Sequence, residues 1–139
     1  MAIYQKSFRL STRGHCDVRD ISEQVERIVT ESGVKRGIVN VAGKGSTVGI
    51  TTIEFESGAL SDLKRALNVI APENDDYKHN ARWGDHNGFA HVRSALVGTS
   101  ETYPVRDGAL YLGTWQQIVF CDFDERSRDR EVTVTVYGE

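Results

Sequence analysis

The chain has 139 residues, with 17 Lys and Arg against 20 Asp and Glu for a formal charge of −3, and is 39% hydrophobic and 27% charged. A chain of that length buries a core without disulfide or metal staples, and that balance argues against both a basic nucleic-acid-binding module and a charged disordered tail. Apolar runs such as Ile118-Val119-Phe120-Cys121 fall far short of the roughly 20 residues that cross a bilayer. The N-terminus begins as a strand rather than a signal peptide, so a cytoplasmic protein with no membrane or nucleic-acid partner is expected. Cys16 and Cys121 lack CxxC spacing and read as buried or incidental thiols of a reducing compartment.

In chain order, residues 3–10 read as a strand. Asp20-Ile21-Ser22-Glu23 then offers an N-cap with an acid at N3, ahead of a helix whose apolar face is Ile21, Val25, Ile28 and Val29 and whose stop is Gly33. The β-branched runs 37–41 and 49–55 are joined by a short stretch carrying Gly43 and Gly45, which suggests a hairpin. A second helix carries Leu60, Leu63, Ala66, Leu67 and Ile70 and ends before Pro72. Periodicity disappears between Pro72 and Gly88, and a loop that long in a small domain is usually functional. Asn87 caps a short helix expected to turn Phe89, Val92 and Leu96 inward. The remainder reads as strand at 100–105, a turn at Arg106-Asp107-Gly108, strand at 109–123, a charged turn, and a last strand in which valines and threonines alternate. Ile118–Phe123 is apolar on both faces apart from Asp122, as in a central strand. With no repeat or linker, one domain over residues 1–139 is expected, a β-rich α+β sandwich with two or three flanking helices.

The densest chemistry lies at His79, His86 and His91, three of the chain's 4 histidines, with Asp76 and Asp85 among them. Imidazole suits zinc and related divalent metals, and three protein ligands with one open position describe a catalytic site. His86 and His91 cannot share one helical face, so the loop would supply His79 and His86 and the following helix His91; an exposed polar loop with incidental histidines is the alternative. Lys78, Arg82 and Arg93 could hold a phosphate or carboxylate nearby. Gly43-Lys44-Gly45-Ser46-Thr47 lacks the full P-loop pattern, yet the amides and hydroxyls of such a turn can contact an anion. Glu54 and Glu56 are expected on one strand face with Thr52, either as paired carboxylates for acid–base work or as a solvated face. Trp83 and Trp115 either stack on a planar heterocycle or pack within the fold.

Gly98-Thr99-Ser100, then Leu112-Gly113-Thr114-Trp115-Gln116-Gln117-Ile118, Phe123-Asp124 and the ending Tyr137-Gly138-Glu139 resemble the YjbQ-like family, also called the secondary thiamine-phosphate synthase family. Tyr77-x-His79, Gly84-Asp85-x-Asn87 and Ala90-His91 fit that family's central histidine segment, so the likeness covers nearly the whole chain. It implies a jelly-roll type sandwich, a homotrimer, and a metal-binding cleft at the histidines. Many members carry His-Thr-Thr or His-Thr-Ser before the strand ending in Asn-Glu; here Gly45-Ser46-Thr47 precedes it, and only the glutamate position is kept, at Glu54.

The expected site therefore comprises His79, His86 and His91 as ligands of a divalent metal, zinc or, with a diphosphate substrate, magnesium. Glu54 and Asp85 are the candidate catalytic carboxylates, and Ser46, Thr47, Lys78, Arg82, Trp83 and Gln116 the contacts to a small anionic metabolite. Three functions compete: a transferase resembling thiamine-phosphate synthase that acts on a phosphorylated heterocycle, a trimeric metal or small-anion binding protein without turnover, and a metal-dependent phosphohydrolase. An open coordination position beside a pocket large enough for a heterocycle discriminates the first from the second.

Overall fold

The structure is a computed structural model describing all residues from Met1 to Glu139. The elements in order are β1 (Ala2–Thr12), β2 (Asp17–Asp20), α1 (Ser22–Ser32), β3 (Arg36–Gly43), β4 (Val48–Ile53), α2 (Ser57–Ile70), α3 (Lys78–Trp83), α4 (Gly88–Val97), β5 (Ser100–Arg106), β6 (Ala109–Leu110), β7 (Gln117–Asp122) and β8 (Arg128–Gly138). They form a five-stranded antiparallel sheet in the order β1-β8-β3-β5-β6 and a three-stranded one in the order β2-β7-β4. No helix is long and apolar enough to cross a membrane.

Side-chain alternation explains the layers. On β8, Val132, Val134 and Val136 are buried, whereas Thr133 and Thr135 face outward beside Ser7 and Gln5 of β1. The valines meet Val39 and Val41 of β3, Ile118 and Phe120 of β7, and the apolar face of α1. The other face of β7, with Val119, Cys121 and the following Phe123, packs against Leu67 of α2 and Phe89 and Ala90 of α4. β7 is thus the central strand of the smaller sheet and is covered on both sides, which is why its sequence is apolar on both faces. Burial pushes the Cys121 thiol up to about 12, so it is an inert packing group.

The expected α+β class is what the chain forms, with four helices, and the strand order by itself does not make the two sheets a jelly roll. Several local expectations change. β3 and β4 are not a hairpin: they lie in different sheets, and residues 44–47 carry the chain across. Gly43 fits there because a Cβ would meet Phe120 and Val48 at 3.0 and 3.2 Å. The expected strand over 109–123 is two strands, since the chain leaves the larger sheet after Leu110 and enters the smaller one at Gln117. The turn expected at Arg106-Asp107-Gly108 is there, tightened to the two residues Asp107 and Gly108, both with positive φ, since Arg106 pairs with Ala109. Asp20 accepts the Ser22 amide, and Gly33 ends α1 in the left-handed region. On α2 Leu67 alone of the apolar stripe is buried, Leu60 and Leu63 are half-buried, and Ala66, Val69 and Ile70 are exposed. On α4, Phe89, Ala90, Arg93 and Ser94 are buried, whereas Val92 and Leu96, expected inside, face outward.

Candidate functional site

The crossing at residues 44–47 is held by a buried polar network. Asp122, on the inward face of β7, accepts from Arg130 Nε at 2.7 Å and Nη2 at 3.0 Å, and also from the Thr12 hydroxyl. Arg130 Nη2 also donates to Thr47 Oγ1 at 2.8 Å, and that hydroxyl donates to Asp124 Oδ2 at 3.1 Å. Asp124 further accepts from Arg128, the Glu125 amide and Asn87 Nδ2. Burial alone would raise the Asp124 carboxyl, but these donors and the Arg128 charge together hold it below the usual carboxylate range. The network fixes the Gly45-Ser46-Thr47 turn, while the amides of those three residues serve neither sheet as donors.

Through Asn87 the network reaches the histidine segment. Tyr77 sends its hydroxyl to Pro72 O, and Asn80 Oδ1 accepts the Gly88 amide at 2.9 Å, folding residues 72–88 into a loop interrupted by the single turn-and-a-half of α3. The arrangement brings the His79 and His91 rings to 4.4 Å between centroids. His79 Nδ1 lies 3.0 Å from Asp85 Oδ1, an ion-pair distance, yet the two are not aligned as a hydrogen bond. His79 Nδ1, Asp85 Oδ1 and Asn87 Oδ1 are all buried without a hydrogen-bond partner. Buried polar atoms are rarely left so, and the only other one here is Tyr103 Oη. Beside them, His91, Ser94, Gly98 and Thr99 face Gly45 and Ser46 across a cleft of about 450 Å³.

The remaining expected residues are dispersed. His86 lines a separate depression of about 540 Å³ with Asp75, Asp76 and Lys78. No group of three His, Cys, Asp or Glu side chains is arranged within the chain to hold a metal ion. Arg82 is exposed, with its guanidinium 5.7 Å from the Trp83 ring, which is itself exposed. Arg93 is not a free cation but a buried strut donating to Ala71 O over the Phe89 ring. Glu54 and Glu56 are not paired on a strand: β4 ends at Ile53, and Glu56 caps α2 through the Gly58 and Ala59 amides. Those two amides hold the Glu56 carboxyl below its ordinary range. Glu54 stands at the end of β4 opposite the Thr47 crossing, and at that same end Gln116 donates to Thr52 Oγ1 while accepting the Gly113 amide. Arg130 is the cation at the Gly45 turn that motif reading missed; strand parity on β8, where Arg128 and Arg130 continue the inward row of valines, is the signal that finds it.

The UPF0047 protein YjbQ-like family matches residues 6–139. A UPF0047 protein of Methanothermobacter thermautotrophicus is 37% identical over 139 residues, covering 100% of this chain and 95% of that protein. A solved YbjQ-like protein of unknown function from Sulfolobus solfataricus P2 superposes with a TM-score of 0.94 at 33% identity, covering 99% of each chain. An uncharacterised member of the yjbq/upf0047 family from Clostridium acetobutylicum gives 0.86 at 34% identity, covering 95% of this chain and 99% of that one. The chain belongs to the UPF0047 family of YjbQ-like proteins.

Proposed function

We propose that the chain is a metal-dependent protein acting on a small phosphorylated metabolite, with a divalent cation, zinc foremost, taken up between His79 and Asp85 beside His91, side chains that one chain does not by itself arrange as a complete three-ligand set and that donors from the bound metabolite would complete. The observation that carries this reading is the trio of buried polar atoms, two of them on these ligands, that find no partner within the chain. An imidazole nitrogen and a carboxylate oxygen 3.0 Å apart are a donor set suited to zinc, and Asn87 Oδ1 adds an oxygen beside them. The cation would polarise a bound phosphate. This chain's residues do the rest: the turn at Gly45 and Ser46, whose amides serve neither sheet, lines the cleft opposite His91 and offers donors to an anion, while Arg130, paired with Asp122 and bonded to Thr47, holds that turn in place. The family resemblance favours a transferase similar to thiamine-phosphate synthase. One observation favours the quieter reading of a binding protein without turnover: Glu54, the expected acid–base group, is at the far end of β4 from this cleft.

The metal reading is tested by elemental analysis of protein purified without a histidine tag. About one equivalent per chain is expected, and the His79→Ala, His91→Ala double variant should lose it; undiminished metal in that variant rejects the site. Calorimetric titration of the loaded protein with pyrophosphate tests the anion, and absence of any binding heat rejects that part alone. We further propose a homotrimer, supported by the exposed apolar residues Val92 and Leu96 on α4 and Val69 and Ile70 on α2, which light scattering would check as a mass near three chains.

A further inference from the structure

At the other end of β4 from the proposed metal cleft, a depression of about 480 Å³ is lined by Asp20, Glu54, Phe55, Glu56, Trp115 and Gln117. Three of its six lining residues are carboxylates, two are aromatic and none is cationic. The Glu54 carboxylate has no ion-pair or hydrogen-bond partner in the chain, while the Asp20 carboxylate accepts only the Ser22 amide. Glu56 is kept ionised by the two helix amides it caps. The pocket thus combines negative charge with aromatic faces and contains nothing to neutralise it.

The aromatics are also held in place. Trp115 is 70% exposed and Phe55 44%, which in a mobile loop would be unremarkable. Here the turn carrying Trp115 is closed by Gln116 N on Gly113 O and by Gly113 N on Gln116 Oε1. It is tied to the end of β4 by Gln116 Nε2 on Thr52 Oγ1, and Gln117 Oε1 accepts the Phe55 amide at 3.3 Å. Two neighbouring glutamines therefore spend their side chains fixing the positions of Trp115 and Phe55 while leaving both rings open to solvent. An indole face beside unpaired carboxylates attracts a cation whose charge is spread over carbon, because such an ion loses little hydration and gains both the ring quadrupole and the ion pair.

We propose that this depression is a binding site for a small organic cation of the quaternary ammonium class, with Trp115 as its stacking face and Glu54 as its principal counter-charge. It shares no lining residue with the metal cleft, so it stands or falls independently of the function proposed above.

The chain has 2 tryptophans, so Trp83→Phe leaves Trp115 as the sole indole reporter. Choline is the probe, and 3,3-dimethylbutanol, of the same shape without the charge, is the control. Choline should quench Trp115 emission saturably, with a dissociation constant on the order of 1 mM for so small and open a site, and the alcohol should bind at least about tenfold more weakly. Adding Glu54→Gln, at an exposed position where folding should be unaffected and circular dichroism verifies it, should weaken choline about fivefold or more. Unsaturable quenching, equal affinity for choline and the alcohol, or indifference to Glu54→Gln overturns the proposal. So does Trp115 emission that is already blue-shifted and unresponsive in the assembled protein, which would mean that another copy of the chain covers the site.

Discussion

The two sides of the candidate cleft solve the problem of polar groups in opposite ways. At the crossing between the sheets, Asp122, Asp124, Arg130, Thr47 and Thr12 satisfy one another, and Asp122 is fully buried. In the histidine segment, reached through Asn87, the polar atoms of His79, Asp85 and Asn87 are buried and unsatisfied. A satisfied network lowers the freedom of a structure, whereas buried polar atoms without a partner gain free energy from any group that pairs with them, a bound ion or water included. The first side therefore behaves as scaffold and the second, on the function proposed above, as binding surface, and Asn87, bonded to Asp124 through its amide nitrogen and open at its oxygen, joins them.

The sharpest way to break this division is Asp122→Ala. It leaves Arg130, whose side chain is 12% exposed, without its bidentate partner and should cost about 3–5 kcal/mol, or a fall in Tm of roughly 10 °C, read by urea and thermal unfolding. A loss under about 1 kcal/mol would mean that the network contributes no more than a surface pair.

A smaller effect, about 1–2 kcal/mol at neutral pH, is expected for Asp124→Asn, which keeps the shape but weakens the bonds to Arg128 and Thr47. The sign with pH follows from the lowered carboxyl. A group whose folded pKa is depressed contributes stability above its unfolded value, near 3.9, and that contribution disappears as pH falls through the folded value. Wild type should therefore lose stability on acidification below about pH 4, and Asp124→Asn should lose less, so the two urea midpoints converge. Parallel curves would show that Asp124 titrates alike in both states.

How far the sequence anticipates this depends on the range of the interaction. Local signals carry well: Gly33 closing α1, Asp107-Gly108 turning β5 into β6, and valine–threonine alternation orienting β8 are each set by neighbours a few residues apart. Parity also contains the Asp122–Arg130 pair, because Asp122 follows Ile118 and Phe120 on one face of β7 and Arg130 precedes Val132 on one face of β8. That two such faces meet is a property of sheet packing and is invisible to motif matching. The β3–β4 hairpin fails for the same reason, since short glycine connections serve a turn within one sheet and a crossing between two equally well. Histidine density singles out one segment, but tertiary contacts sort its members, setting His79 against His91 and turning His86 toward Asp75 and Asp76.

The smallest stability effect, and the one that most sharpens the comparison, belongs to the His79→Ala, His91→Ala double variant. Neither ring is deeply buried, and no aligned hydrogen bond is lost with them, so unfolding free energy without metal should change by about 1 kcal/mol or less. With zinc the two proteins should part. A ligand that binds only the native state stabilises it by about 2.7 kcal/mol at a concentration of 100 Kd, which for a domain of this size raises Tm by roughly 5–10 °C. Wild type should show that rise with zinc and lose it with chelator, whereas the double variant should melt at the same temperature in both. Asp122→Ala, starting from a lower Tm, should keep the zinc-induced rise, because its lesion is in the scaffold and the unsatisfied atoms remain. A double variant that still responds to zinc would move the metal away from His79 and His91, and an Asp122→Ala protein that no longer responds would mean that scaffold and binding surface are one cooperative unit.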